Sequence, residues 1–110
     1  MFTSIGTQGV TVETVWLVEV PYTAEAPERR PPHRPVHLGR IATLMRDGIV
    51  IEAGGCIDWS KAVLLIRAAS QAQALALIEE DVYTREGVWH RPTARPYGRV
   101  VVDRDGDEPA

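Results

Sequence analysis

The apolar residues of this chain change period along its length, and the order of the changes leaves few folds open. A strand that buries one face shows every second residue apolar, whereas a helix repeats them three or four apart. Val15 to Tyr22 (VWLVEVPY) is a β-branched and aromatic run that predicts a first strand. The stretch AEAPERRPPHRP that follows is proline-rich and predicts a loop of polyproline character. From Pro35 to Asp47 the period is helical, with Leu38, Ile41, Leu44 and Met45 in register, Pro35 in the first turn and Gly48 as the stop. Ile49 to Ala53 predicts a second strand, closed by Gly54 and Gly55, and Lys61 to Ala68 a third. The third is continuously apolar, as a central strand is. Ser70 is placed to cap a second helix, Gln71 to Glu80, with Ala74, Leu75 and Ile78 on one side. After a turn at Thr84 to Gly87, Trp89 to Tyr97 predicts a fourth strand, with Val100 to Val102 extending it or pairing elsewhere. Its Pro92 and Pro96 belong at a sheet edge.

Strand, helix, strand, strand, helix, strand is the order of two split β-α-β units, the ferredoxin-like α+β sandwich. It predicts a four-stranded antiparallel sheet in the spatial order 4-1-3-2, with both helices on one face. Residues 1–13 are expected to be a flexible extension or an added edge strand, 14–102 the domain, and 103–110 an acidic, frayed tail. At 110 residues there is room for one core. A net charge of -3 gives no basic face for nucleic acid. No signal peptide or membrane-spanning stretch is evident, and the lone Cys56 suits a reducing compartment, so a cytoplasmic protein is expected.

The topology brings chosen polar residues together. The start of helix one, the end of helix two, Gly54, Ser60 and Trp89 should share one edge of the sheet. His37 lies one turn before Ile41, on the stripe facing the sheet, and Asp81 lies on or just past the buried stripe of helix two. These two are predicted to meet, with Arg34, Ser60 and Tyr83 within reach. A half-buried imidazole beside a carboxylate is a proton-transfer device: the carboxylate fixes the tautomer and the other ring nitrogen exchanges a proton. Arg34 would hold a substrate carboxylate or phenolate by paired hydrogen bonds. The same pair is equally a satisfied core contact.

Arg34-Pro35-Val36-His37-Leu38, Ala53-Gly54, Ser60, Asp81-Val82-Tyr83, Glu86-Gly87-Val88 and Arg95-Pro96-Tyr97 together resemble the YciI-like (YCII-related) domain family, in order and in spacing. The resemblance covers Val15 to Val102. It implies a dimeric ferredoxin-like fold with a His and Asp pair in a cleft, here His37 and Asp81, and pocket positions at Arg34, Ser60 and Tyr83. The activity it implies is elimination from a chlorinated hydroxyquinol, without metal or organic cofactor. The chain departs from the family in carrying Val82 after the motif Asp, where proline is usual, and Trp59 before Ser60, where glycine is common.

Three readings follow. The first is a cofactor-independent lyase or isomerase acting on a small anionic molecule, hydroxylated or aromatic. His37 is its acid or base, Asp81 its orienting partner, and Arg34 with Ser60 its anchors. The second is a non-catalytic binding or interaction module with a structural His–Asp pair. The third is a metal site on His33 and His37, four residues apart, with His90 as third ligand. A homodimer is expected, because the helices leave one face of the sheet bare and the third strand is apolar on both sides, at Val63 and Leu65 as well as Leu64 and Ile66.

Overall fold

In chain order, the computed structural model contains β1 (Phe2–Ser4), β2 (Val10–Pro21), α1 (Ala26–Arg46), β3 (Val50–Gly55), β4 (Lys61–Ile66), α2 (Gln71–Glu79), α3 (Val82–Arg85) and β5 (Thr93–Val102). It describes residues 2–4 and 9–102, and the tail 103–110 lies outside them. All strand pairs are antiparallel: β5 with β2, β2 with β4, and β4 with β3. This is the expected 4-1-3-2 order of a ferredoxin-like α+β sandwich. The apolar β4 is interior and the proline-bearing β5 is at an edge. β1 pairs with Thr11–Glu13, beyond the end of β4.

The register sorts side chains between the two faces. Val18 stands opposite Leu64 and Ala94, and Val20 opposite Ala62. These residues join Ile41 of α1 and Ala74 and Ile78 of α2 in one buried core, so both helices cover the same face. Ser70 caps α2 by accepting from the Gln73 N–H at 3.2 Å. Among the described residues no helix is long and apolar enough to cross a membrane.

Several boundaries differ from the sequence-based expectation. β2 begins at Val10 rather than Val15, because β5 runs alongside it as far as Val102. β5 begins at Thr93, not Trp89, so Pro92 lies outside the strand and Trp89 instead bridges to Tyr22. The expected turn at Thr84–Gly87 contains the last part of the short helix α3.

The largest difference is the proline-rich segment. It is not a loop: α1 starts at Ala26 and carries Pro31, Pro32 and Pro35 inside it. An interior proline removes one hydrogen bond and clashes with the preceding turn, at about 3 kcal/mol each. Here all three prolines are exposed, and so are Pro27, Glu28 and Pro31, whose carbonyls lose their partners. Water therefore satisfies the freed groups. Packing on the opposite side holds the turn, where Ala26 and His37 are buried. Pro32→Ala should restore one helical bond and raise the urea midpoint. A net gain of about 2–2.6 kcal/mol is expected, after about 0.4–1 kcal/mol lost to a freer unfolded chain. A lower midpoint would show that the segment is not held as a helix.

Candidate functional site

Asp81 is the residue around which the polar groups gather. It sits between α2 and α3 with an extended backbone and caps α3 by accepting from the Tyr83 N–H at 2.9 Å. The same oxygen, Oδ1, lies 2.8 Å from His37 Nδ1, and Oδ2 accepts from Arg40 Nη1 at 2.8 Å. Asp81 is 0 % exposed and His37 7 %. Burial pushes the Asp81 carboxyl up. The hydrogen bonds from His37 and the Tyr83 N–H, the charge on His37 and the bond from Arg40 outweigh it, so the carboxyl is held below its ordinary value. An ionised carboxylate only accepts, so the Nδ1 that faces Asp81 carries a hydrogen, and Nε2 has no hydrogen-bond partner among the described residues.

Aromatic rings fix the imidazole. Tyr83 stacks on it with centroids 3.7 Å apart and planes 10° from parallel. Trp89 meets it edge-on at 5.0 Å. Burial pushes the Tyr83 phenol up, against the opposing charges of Arg30 and Arg34, so it stays protonated at neutral pH.

These groups form part of the wall of a cavity of about 380 Å³. α1 supplies Arg30, Arg34, His37, Leu38, Ile41 and Met45, a stripe that one helical face presents only because the helix extends back to Ala26. The opposite wall includes Ala53, Gly54 and Gly55 of β3. A Cβ at Gly55 would overlap the Tyr22 hydroxyl, so glycine there leaves room for that ring at the cavity.

Four of the five residues expected at the site, His37, Asp81, Arg34 and Tyr83, lie in or directly behind this wall. Ser60 does not. It belongs to the β3–β4 turn, where its N–H and hydroxyl both bond the Asp58 carboxylate, at 2.9 and 2.6 Å. The short local contact outcompetes the more distant one. His37 is not at a helix start either, since α1 begins three turns earlier, and the helix terminus has little influence on its ring. His33 shares the helix face with His37 but approaches Glu86 at 3.6 Å. His90 is exposed. Among the described residues no group of three or more His, Cys, Asp or Glu is placed to hold a metal ion.

Sequence reasoning missed Arg40 and Arg30. Arg40 lies three residues after His37, so it faces the same neighbour, and that spacing was a usable signal. Arg30 had none while its segment read as a loop. No protein-family model matches the chain, and no curated protein matches it.

Asp81→Asn keeps an acceptor for the Tyr83 N–H but leaves Arg40 only the more distant and exposed Glu80, at 3.8 Å. A loss of about 1–3 kcal/mol at neutral pH is expected. Because the folded carboxyl titrates below its ordinary 3.8, the stability it adds is complete above that value and lost as the pH falls through the folded one. Urea unfolding should therefore show the gap between wild type and Asp81→Asn closing in acid. A gap independent of pH would contradict the ionised carboxylate.

Proposed function

We propose that the protein is a cofactor-independent lyase or isomerase acting on a small anionic molecule of the hydroxylated aromatic kind. The observation that carries this reading is the 2.8 Å His37–Asp81 bond at the wall of a largely apolar cavity, with no partner for Nε2 among the described residues. Asp81 orients the ring and stabilises positive charge on it, Arg40 and the Tyr83 N–H hold Asp81, and His37 exchanges the proton. In a dehydrochlorination the substrate would lose a proton to His37 and chloride to solvent, with no change of redox state beyond the loss of HCl. Arg34 anchors the anionic group and the protonated Tyr83 phenol offers a hydrogen bond. These roles, and the YciI-like resemblance behind them, support one another. Cys56 is a free, exposed thiol, which supports a reducing, cytoplasmic setting.

Turnover of hydroxylated and halogenated aromatic acids by wild type and His37→Ala tests this reading. A fall of about 10²–10⁴-fold in kcat/KM is expected for the variant, with a smaller one for Asp81→Asn. Equal rates would overturn it. Tight binding without turnover would favour the second reading, an anion-binding module. That reading draws support from the deep burial of the His–Asp pair.

We also propose that the working form is a homodimer joined through the helix-free face. Leu17 stands opposite Leu65 on that face, with Val63 one position along, opposite Glu19. Two ion-pair groups border it: Glu19 with Lys61 and Arg95, and Glu13 with Arg67 and Arg99. An apolar centre with a polar rim is how protein interfaces are built. Light scattering at micromolar concentration should give twice the chain mass, and Leu65→Asp should give the monomer. A wild-type monomer would exclude the dimer.

A further inference from the structure

Arg30 and Arg34 are one helical turn apart on α1 and both line the cavity, yet neither has an acidic partner among the described residues. Among the described residues the cavity lining contains no Asp or Glu. Asp81, directly behind His37, is already matched by Arg40 at 2.8 Å. The wall thus carries two uncompensated positive charges, both fixed, since guanidinium does not lose its proton near neutrality. Farther along the same helical face the lining turns apolar, through Leu38, Ile41 and Met45.

Arg30 is also held in an unusual way. Its guanidinium lies over the Trp59 ring, 4.3 Å from the centroid, and its Nε–H is buried with no hydrogen-bond partner among the described residues. A buried donor left unmatched calls for an acceptor that arrives with a ligand. Trp59 has φ 65°, a left-handed backbone that costs a bulky residue free energy and that glycine adopts freely. The turn imposes this conformation: the Trp59 N–H bonds the Cys56 carbonyl at 3.0 Å, and the Cys56 N–H bonds the Lys61 carbonyl at 2.8 Å. The Trp59 ring packs edge-on against Tyr22 at 5.2 Å, so it is wedged between a cavity residue and Arg30.

We propose that Arg30 and Arg34 form a two-cation anchor that selects a small aromatic dianion, with Trp59 as the positioning residue that keeps Arg30 aimed at the cavity. The inference rests on the cavity being the ligand site and narrows the substrate class to molecules with two anionic oxygens on one edge of a ring. The apolar stretch of the wall receives the ring, and the two guanidinia neutralise the two charges. The guanidinia of Arg30 and Arg34 each donate to one anionic oxygen, and an acceptor reaches the buried Arg30 Nε–H only if that side chain shifts towards the ligand.

The test is equilibrium binding of phthalate, benzoate and benzamide, followed by titration calorimetry on the wild-type chain and its variants. Wild type should bind phthalate roughly tenfold or more tighter than benzoate, and benzamide weakest, as one added charge-assisted pair requires. Arg30→Ala should abolish the preference for phthalate over benzoate while leaving benzoate binding in place. Trp59→Gly, which relieves the left-handed strain but removes the ring under Arg30, should lose most of that preference, whereas Trp59→Phe, which keeps an aromatic face there, should retain it. Equal affinity of wild type for the two acids, or no phthalate binding at millimolar concentration, overturns the anchor. A preference that survives Arg30→Ala excludes Arg30. A Trp59→Gly protein that keeps the preference leaves Trp59 no positioning role. His37→Gln, whose amide N–H can still donate to Asp81 but which cannot exchange a proton as imidazole does, should keep the preference, so a failed proton-transfer reading and a failed anchor give different results.

Discussion

The buried carboxylate of Asp81 is the contact on which the arrangement depends. An isolated charge at 0 % exposure would cost several kcal/mol, and an unmatched one would take up a proton instead. Three donors prevent that. Two, from His37 and Arg40, come from α1, and the third is the backbone of α3. The carboxylate therefore joins two parts of the chain far apart in sequence. Because Oδ1 is shared between His37 and the Tyr83 N–H, the interaction that caps α3 also sets the tautomer of the imidazole. Capping, tertiary docking and ring orientation are one set of hydrogen bonds, and none can be altered alone.

Charge is distributed unevenly between the two sides of the sheet. On the helix-free face, Glu13 is 2 % exposed and lies between Arg67 and Arg99, and Glu19 between Lys61 and Arg95. The bonds from Arg67 and Arg99 hold the Glu13 carboxyl below its ordinary value despite burial. There each acid meets two bases. At the cavity the order is reversed: among the described residues Arg30 and Arg34 face no acid, while the carboxylate of Asp81 is already occupied by Arg40. Structural ion pairs account for the first face. They do not account for the second, where the guanidinia stand beside an apolar wall with a donor left over.

The sheet was legible because its signals are local and redundant. The continuous apolar run of β4, the prolines around β5 and the Ser70 cap each point to a place in the topology, and the topology then carries His37 to Asp81 without any contact being read directly. What the sequence concealed has a common cause. The prolines of α1 are strong helix-breaking signals, and the packing that overrides them lies on the far side of the helix, in residues from β3, the β3–β4 turn and α3. Reading that segment as a loop hid Arg30 and misplaced His37 at a helix start. Ser60 failed differently, because Asp58, two residues away, satisfies its N–H and hydroxyl. Short-range polar capture of this kind competes with any longer-range role.

A helix with three interior prolines has fewer backbone bonds to hold its first half, so side chains must do more of the work. Those that do so include two of the cavity wall, Arg30 and His37. Ala26 packs into the core, Arg30 lies on Trp59, His33 approaches Glu86, and His37 is held between Tyr83 and Asp81. On the opposite side the prolines restrict the chain before it folds, which lowers the entropy lost in ordering it. The cavity wall is therefore stiffened by its prolines and located by its polar contacts, rather than by a regular hydrogen-bond ladder. Removing one of those contacts would loosen the wall as well as the group that makes it, so the positions of Arg30, Arg34 and His37 are coupled through the helix that bears them.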